Sequence, residues 1–346
     1  MTVGAVYERW QEAMMHFEDD AFGLLYQELE GFRARLCGLI AGAAGSVWVD
    51  QNGSALLSRI AMGLPRHGRR RVVVTDLDFP TAAMVLGSLP DVELEVVEST
   101  SGHVAPERIA DAIDEDTWLV YVSHATTVTG ALLTDVPALT RLAREKGVVF
   151  GLDVYQSVGC LPVDLDGLGA DFAIGGGHKW MLGGWDLGYA WLSDRTREVL
   201  RPIGTGWFAG GNPFTFAPQT TLAKDARCLA AGAPNPLPCM LSAVGLDELE
   251  AYGLGAVREH SLTLTDRLIE RSRWPAIGAR DHASRAGTIC LEVPDAPAVR
   301  AELLRRGVVV SVRSLPDDSV GLRVAPHIYN DADDIDRLLA ALEEVT

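Results

Sequence analysis

Lys179 stands between two groups of glycines, Gly175-Gly176-Gly177 before it and Gly183-Gly184 after it. The flanking residues are apolar: Asp171-Phe172-Ala173-Ile174 leads in as a short strand, and Leu187 to Leu192 resumes as another. Glycines here predict tight, unusual dihedrals and a close backbone approach to a ligand. A lysine is rarely buried without a partner. When desolvated in a pocket its pKa falls, and the free amine becomes a nucleophile able to form a Schiff base. A His-Lys pair on its own would read as a solvated loop tip; the segment upstream argues otherwise. Val148 to Leu152 is apolar throughout and reads as a buried parallel strand, with Asp153 at its carboxyl end and Gln156 three residues on. Open α/β sheets bind ligands at the carboxyl ends of their strands.

Further groups capable of chemistry lie at similar places. Val47-Trp48-Val49 leads into Asp50-Gln51-Asn52-Gly53-Ser54 and then an apolar helical run. Such a turn is usually an N-cap, but the N–H groups of a helix start, aided by a hydroxyl, also bind anions. The strand Arg71 to Thr75 is followed by Asp78-Phe79-Pro80-Thr81, and the strand Trp118 to Ser123 by His124. Phe79 and His124 are competing candidates to cover a flat ligand, against the ordinary readings of a core phenylalanine and a structural histidine. Trp207, Asn235 and Arg323 occur in Gly206-Trp207-Phe208, Ala231-Gly232-Ala233-Pro234-Asn235 and Val320-Gly321-Leu322-Arg323.

The elements that must hold these groups follow a strand–helix alternation. Tyr7 to Ile40 has helical apolar spacing; Thr134 to Lys146 reads as a helix capped by Thr134 and stopped at Gly147, crossing over into the Asp153 strand. After Pro238 the pattern changes to helices at Leu241 to Tyr252 and Leu254 to Arg273. Strands follow at Thr288 to Val293 and Val308 to Val312 around a helix at Ala298 to Arg306, with a closing helix at Asp331 to Val345. The 346 residues suffice for a large core and a smaller companion. A net charge of −17 gives an acidic surface, which argues against nucleic acid and anionic membranes as partners. The first twenty residues lack a basic stretch followed by an apolar core, no apolar run could span a bilayer, and the five cysteines are scattered without metal-binding spacing. A cytoplasmic protein with reduced thiols and no metal is expected.

Asp153-x-x-Gln156 followed by glycine-flanked His178-Lys179 resembles the class V aminotransferase group of fold-type I pyridoxal 5'-phosphate (PLP) enzymes, closest to kynureninases and cysteine desulfurases. The resemblance runs from about Val47 to the C-terminus. It implies an α/β fold of the PLP-dependent transferase (aspartate aminotransferase-like) type, with a large, mostly parallel seven-stranded sheet and a small C-terminal α/β domain. The expected division is an N-terminal helical arm (1–45), a large PLP-binding domain (46–238) and a small domain (239–346). By resemblance Lys179 forms the Schiff base with PLP, Asp153 pairs with the ring nitrogen, Gln156 contacts the phenolic oxygen, and Gly53, Ser54 and His178 hold the phosphate. Phe79 resembles the stacking phenylalanine of kynureninases, and His124 the proton-moving histidine of desulfurases. Trp207 and Asn235 match kynureninase positions that act on substrate across a subunit boundary, which implies a homodimer with shared active sites. Arg323, in Arg-Val-Ala-Pro-x-x-Tyr-Asn, matches the arginine that binds the substrate α-carboxylate.

The departures matter too. Gln156 and His178 are desulfurase-like where kynureninases have histidine and tyrosine, Ala233 replaces a family threonine, and Ser311 to Asp318 lacks the desulfurase cysteine. The leading expectation is an enzyme acting on an α-amino acid through an external aldimine with cleavage at Cβ, kynureninase-like or as a C–S lyase. Transamination is the alternative, and a degenerate PLP-binding regulatory protein a third reading from another class.

Overall fold

Strands that are apolar on both sides must be covered on both sides, and this requirement organises the chain. The computed structural model describes residues 2–15, 21–218 and 220–345. Strands β1 (Val47–Asp50), β2 (Arg71–Thr75), β3 (Glu93–Val97), β4 (Thr117–Ser123), β5 (Val149–Asp153), β6 (Phe172–Gly176) and β7 (Gly188–Leu192) form one sheet in the order β1-β7-β6-β5-β4-β2-β3. Only β7 opposes its neighbours; the β6–β5, β5–β4, β4–β2 and β2–β3 pairs are parallel. Every residue of β4, β6 and β7 is buried.

Helices fill the crossovers: α1 (Val3–Met15), α2 (Ala21–Leu39), α3 (Gly53–Gly63), α4 (Thr81–Gly87), α5 (Pro106–Asp111), α6 (Val136–Glu145), α7 (Leu165–Leu168) and α8 (Asp194–Val199). α9 (Leu237–Tyr252) and α10 (Leu254–Arg271) lead to a second, antiparallel sheet. It comprises β8 (Ala276–Ile277), β9 (Ile289–Leu291), β10 (Ser311–Ser314) and β11 (Val320–Val324), ordered β10-β11-β9-β8, with α11 (Ala296–Arg305) packed on it and α12 (Ala332–Val345) packed against α10 and α11. This sheet has its own core, in which Leu268, Ile289, Leu291, Leu322 and Leu342 are fully enclosed.

Several expected elements shift. The helical region at Tyr7 to Ile40 is two helices, and the stretch between them, 16–20, lies outside the described residues. Thr134 does not cap α6; the preceding residue is Asp135 in left-handed conformation, and Pro137 takes the first turn, where its missing N–H costs nothing. α9 starts at Leu237 because Pro238 is likewise tolerated in a first turn. Its Cys239, Leu246 and Leu249 are buried in the core of the large sheet. Val308 to Val310 is not strand; pairing with β11 selects Ser311–Ser314 instead.

Candidate active site

The carboxyl ends of β4, β5 and β6, with the starts of α3 and α4, enclose a pocket. Gly53, Ser54, Phe79, Asp153, Gln156, His178 and Lys179, drawn from four separate stretches of chain, all line it. The loop after β6 brings Lys179 in, and its glycines are selected by space. None of Gly175, Gly176, Gly177, Gly183 or Gly184 has positive φ; the left-handed residues of this loop are Leu182 and Asp186. A Cβ at Gly175 would lie 2.2 Å from the Tyr189 ring, and one at Gly183 2.3 Å from Ser242 Oγ. The expectation of unusual glycine dihedrals is therefore corrected: close packing demands glycine at Gly175, Gly176 and Gly183, while Gly184 has only ordinary contacts.

Lys179 Nζ lies 5.3 Å from the centroid of the Phe79 ring and 5.2 Å from that of Tyr155. Burial holds its pKa below the usual lysine value; Asp153 opposes the shift, and Arg323 and Arg313 add to it. Asp153 ends β5, and its Oδ1 accepts the Tyr155 N–H at 2.9 Å. Burial pushes its carboxyl up to about 6, against the pull of that N–H and of Lys179 and with a push from Asp78. His178 stacks on Trp185 at 4.5 Å, and burial and then Lys179 lower its pKa, so its imidazole is neutral at pH 7.

Gln156 is fixed at both ends of its amide. Its Oε1 accepts from Trp180 Nε1 at 3.0 Å and its Nε2 donates to Thr127 Oγ1 at 3.1 Å. An indole N–H only donates, so it assigns the amide orientation. Thr127 also joins Arg323 to the site. Arg323 does not line the pocket itself, but its Nη1 donates to the Thr127 carbonyl at 2.9 Å and its Nε to Ser311 Oγ at 3.0 Å. Burial, then Arg313, lower its pKa to about 10, so it stays cationic. The turn carrying Thr127 is bonded to the second sheet's β8–β9 connection through Leu132 N–H to Ser284 O and Ala286 N–H to Gly130 O, both 2.8 Å.

Three other candidates lie elsewhere. His124 is buried but outside the pocket lining. Ser123 and Ala125 on either side of it do line the pocket. Burial, with Arg258 nearby, takes His124 to about pKa 4, and its Nδ1 has no partner among the described residues. Between the two ring-covering candidates, the geometry favours Phe79. Trp207 is exposed and stacks on Phe216 at 5.4 Å. Asn235 borders a separate groove with Asp50 and Arg59, and its Oδ1 accepts the Leu237 N–H. Neither reaches the pocket within one chain.

Four contributors went unassigned from sequence: Tyr155, Thr127, Trp180 and Asp78. The Asp78 carboxylate accepts the N–H groups of Thr75 and Ser123, both at 2.7 Å, which ties β2 to β4 and sets Phe79 at the pocket mouth. The available signal was position, since Asp78 and Tyr155 each lie within three residues of a strand end. The donor set fits a phosphorylated, cationic aromatic ring. It offers a carboxylate at the floor, an amine, an aromatic face and a helix start whose Gly53 N–H bonds only a tyrosine hydroxyl among the described residues. No group of histidine, cysteine or acidic residues among the described residues could hold a metal ion.

Residues 4–338 match the family model described as aminotransferase class-V. Kynureninase of Pseudomonas fluorescens is 32% identical over 299 residues, covering 81% of this chain and 70% of the relative. Kynureninase of Deinococcus radiodurans is 30% identical, covering 90% and 77%. An uncharacterized aminotransferase, YcbU of Bacillus subtilis, is 26% identical, covering 88% and 80%. Among solved structures, an apo cysteine desulfurase from Thermococcus onnurineus NA1 superposes with a TM-score of 0.84 at 21% identity, covering 97% of this chain and 91% of that one. The cystine C–S lyase C-DES, in complex with its product cysteine persulfide, gives 0.84 at 18% identity, covering 98% and 94%. At these identities the structural likeness establishes the fold.

Proposed function

The chain belongs to the class-V aminotransferase family of PLP-dependent enzymes, and from that premise we propose that it cleaves a bond at Cβ of a free α-amino acid. When bound, PLP supplies an electron-withdrawing ring that stabilises negative charge at Cα. The protein's residues do the rest. Lys179, whose amine burial makes easier to deprotonate, would hold the cofactor and would be placed to take a proton from the substrate's Cα. Asp153 would keep a proton on the ring nitrogen. Gln156 Nε2, aimed by Trp180, would serve the ring's phenolic oxygen; Gly53, Ser54 and His178 would hold the phosphate; Phe79 would cover the ring. Arg323 keeps Nη2 for the substrate carboxylate while Thr127 and Ser311 fix its other nitrogens.

One observation carries this reading: Lys179 and Asp153 face one pocket across adjoining strand ends, in a chain whose 30–32% identical relatives are kynureninases. The five cysteines are buried and none lines the pocket, which disfavours a persulfide relay. They are also all free, in keeping with the cytoplasm. Transamination stays the second reading because of the relative named an aminotransferase. The exposed Trp207 and Asn235 complete the site from a second copy in a homodimer. No described helix is long and apolar enough to cross a membrane. Amino-acid panels incubated with and without a 2-oxo acid decide the reaction. Product release without the acceptor supports Cβ cleavage, and strict dependence on it establishes transamination.

A further inference from the structure

Tyr155 occupies a slot made for it. A Cβ at Gly176 would fall 2.2 Å from Tyr155 Cε1, and one at Gly53 would fall 2.8 Å from its hydroxyl. Two glycines from distant stretches thus leave room for one phenol. The ring bounds the pocket near Lys179 Nζ, 5.2 Å from its centroid, and the hydroxyl reaches the start of α3, where it accepts the Gly53 N–H at 3.2 Å. The phenol's own proton has no acceptor among the described residues. Burial, then Asp153, push Tyr155 up to about 12, so it is a protonated donor at neutral pH.

A phosphate at the α3 start would meet few cations. No arginine lines the pocket, and Lys179 is committed to the covalent link. Donors must make up for that: the Gly53 N–H, the Ser54 and Thr81 hydroxyls (3.3 Å apart), the His178 ring N–H, and any further hydroxyl at the α3 start. We propose that the Tyr155 hydroxyl is a ligand of the cofactor phosphate, releasing the Gly53 N–H so that both donate to the same anion. The inference rests on the α3 start being the phosphate cradle.

The test compares PLP with pyridoxal, which lacks the phosphate, by spectroscopic titration of cofactor-free protein. Tyr155→Phe removes one oxygen and keeps the slot filled. It should weaken PLP binding roughly ten- to hundredfold, as expected for loss of a hydrogen bond to a charged group, and leave pyridoxal affinity unchanged. Ser54→Ala is the control for the cradle. If Ser54→Ala loses the preference for PLP and Tyr155→Phe keeps it, the tyrosine assignment is overturned alone. If both keep it, the cradle reading falls and the inference with it. An equal loss of both ligands in Tyr155→Phe makes the tyrosine a packing residue and overturns the proposal.

Discussion

Replacing Asp153 by asparagine should stabilise the cofactor-free protein while crippling the enzyme. Burial raises the Asp153 carboxyl from 3.8 to about 6. At 1.36 kcal/mol per pKa unit, the ionised carboxylate costs the folded state up to ~3 kcal/mol. For an acid whose folded pKa is raised, the cost is absent below the unfolded pKa, grows as pH rises from about 4 to 6, and is complete above. Asparagine keeps an oxygen to accept the Tyr155 N–H, so the change removes the charge with little loss of bonding. Cofactor-free Asp153→Asn should therefore be more stable than wild type by up to ~3 kcal/mol at pH 8, and by about half of that at pH 5. With PLP bound the sign reverses, because only the carboxylate can pair with a protonated ring nitrogen. Urea unfolding of both cofactor-free proteins at the two pH values, followed by PLP titration and turnover, checks each part. An asparagine variant no more stable than wild type at pH 8, or one that keeps near wild-type turnover, would refute the reasoning.

Arg323→Ala should bind an amino acid roughly ten- to hundredfold more weakly while binding the corresponding decarboxylated amine as before, measured from the cofactor's spectral change; Arg323→Lys should recover little. A preference for the amino acid that survives in Arg323→Ala would assign the carboxylate to another residue. His124→Gln should keep activity within a few-fold at neutral pH, since the buried ring is neutral and does not line the pocket; loss of turnover with PLP binding intact would restore it as a catalytic residue. Mixing inactive Lys179→Ala chains with inactive Trp207→Ala chains should restore part of the activity, since one site of each hybrid dimer is then whole; no recovery in verified hybrids would contradict shared sites.

The groups that could be read from sequence were those whose meaning lies within a few residues of a strand end. Asp153, Gln156 and Lys179 follow apolar runs of β5 and β6, and the pocket forms where the parallel sheet rule puts it. Local spacing could not show that the chain bends at His124 just beyond β4, where Ser123 and Ala125 line the pocket and His124 does not. Nor could it show that Gly53 and Gly176, more than a hundred residues apart, jointly make room for Tyr155. The glycines around Lys179 were legible as special, but the cause is contact with Tyr189, Tyr155 and Ser242, which depends on tertiary packing. The offset of β10 from Val308–Val310 has the same origin: those valines are apolar enough for a strand, but pairing with β11 decides the register. Trp207 and Asn235 act, on the proposed reading, in a neighbour's site, which no pattern within one chain displays.

The chain has three lysines, and Lys146 and Lys224 are exposed, leaving Lys179 alone in the pocket. Borohydride reduction of the PLP-loaded protein followed by peptide mapping is therefore an unambiguous measurement. Loss of the visible absorption and a single pyridoxyl adduct on Lys179 are expected. An adduct on Lys146 or Lys224, or none after PLP addition, would contradict the role of Lys179.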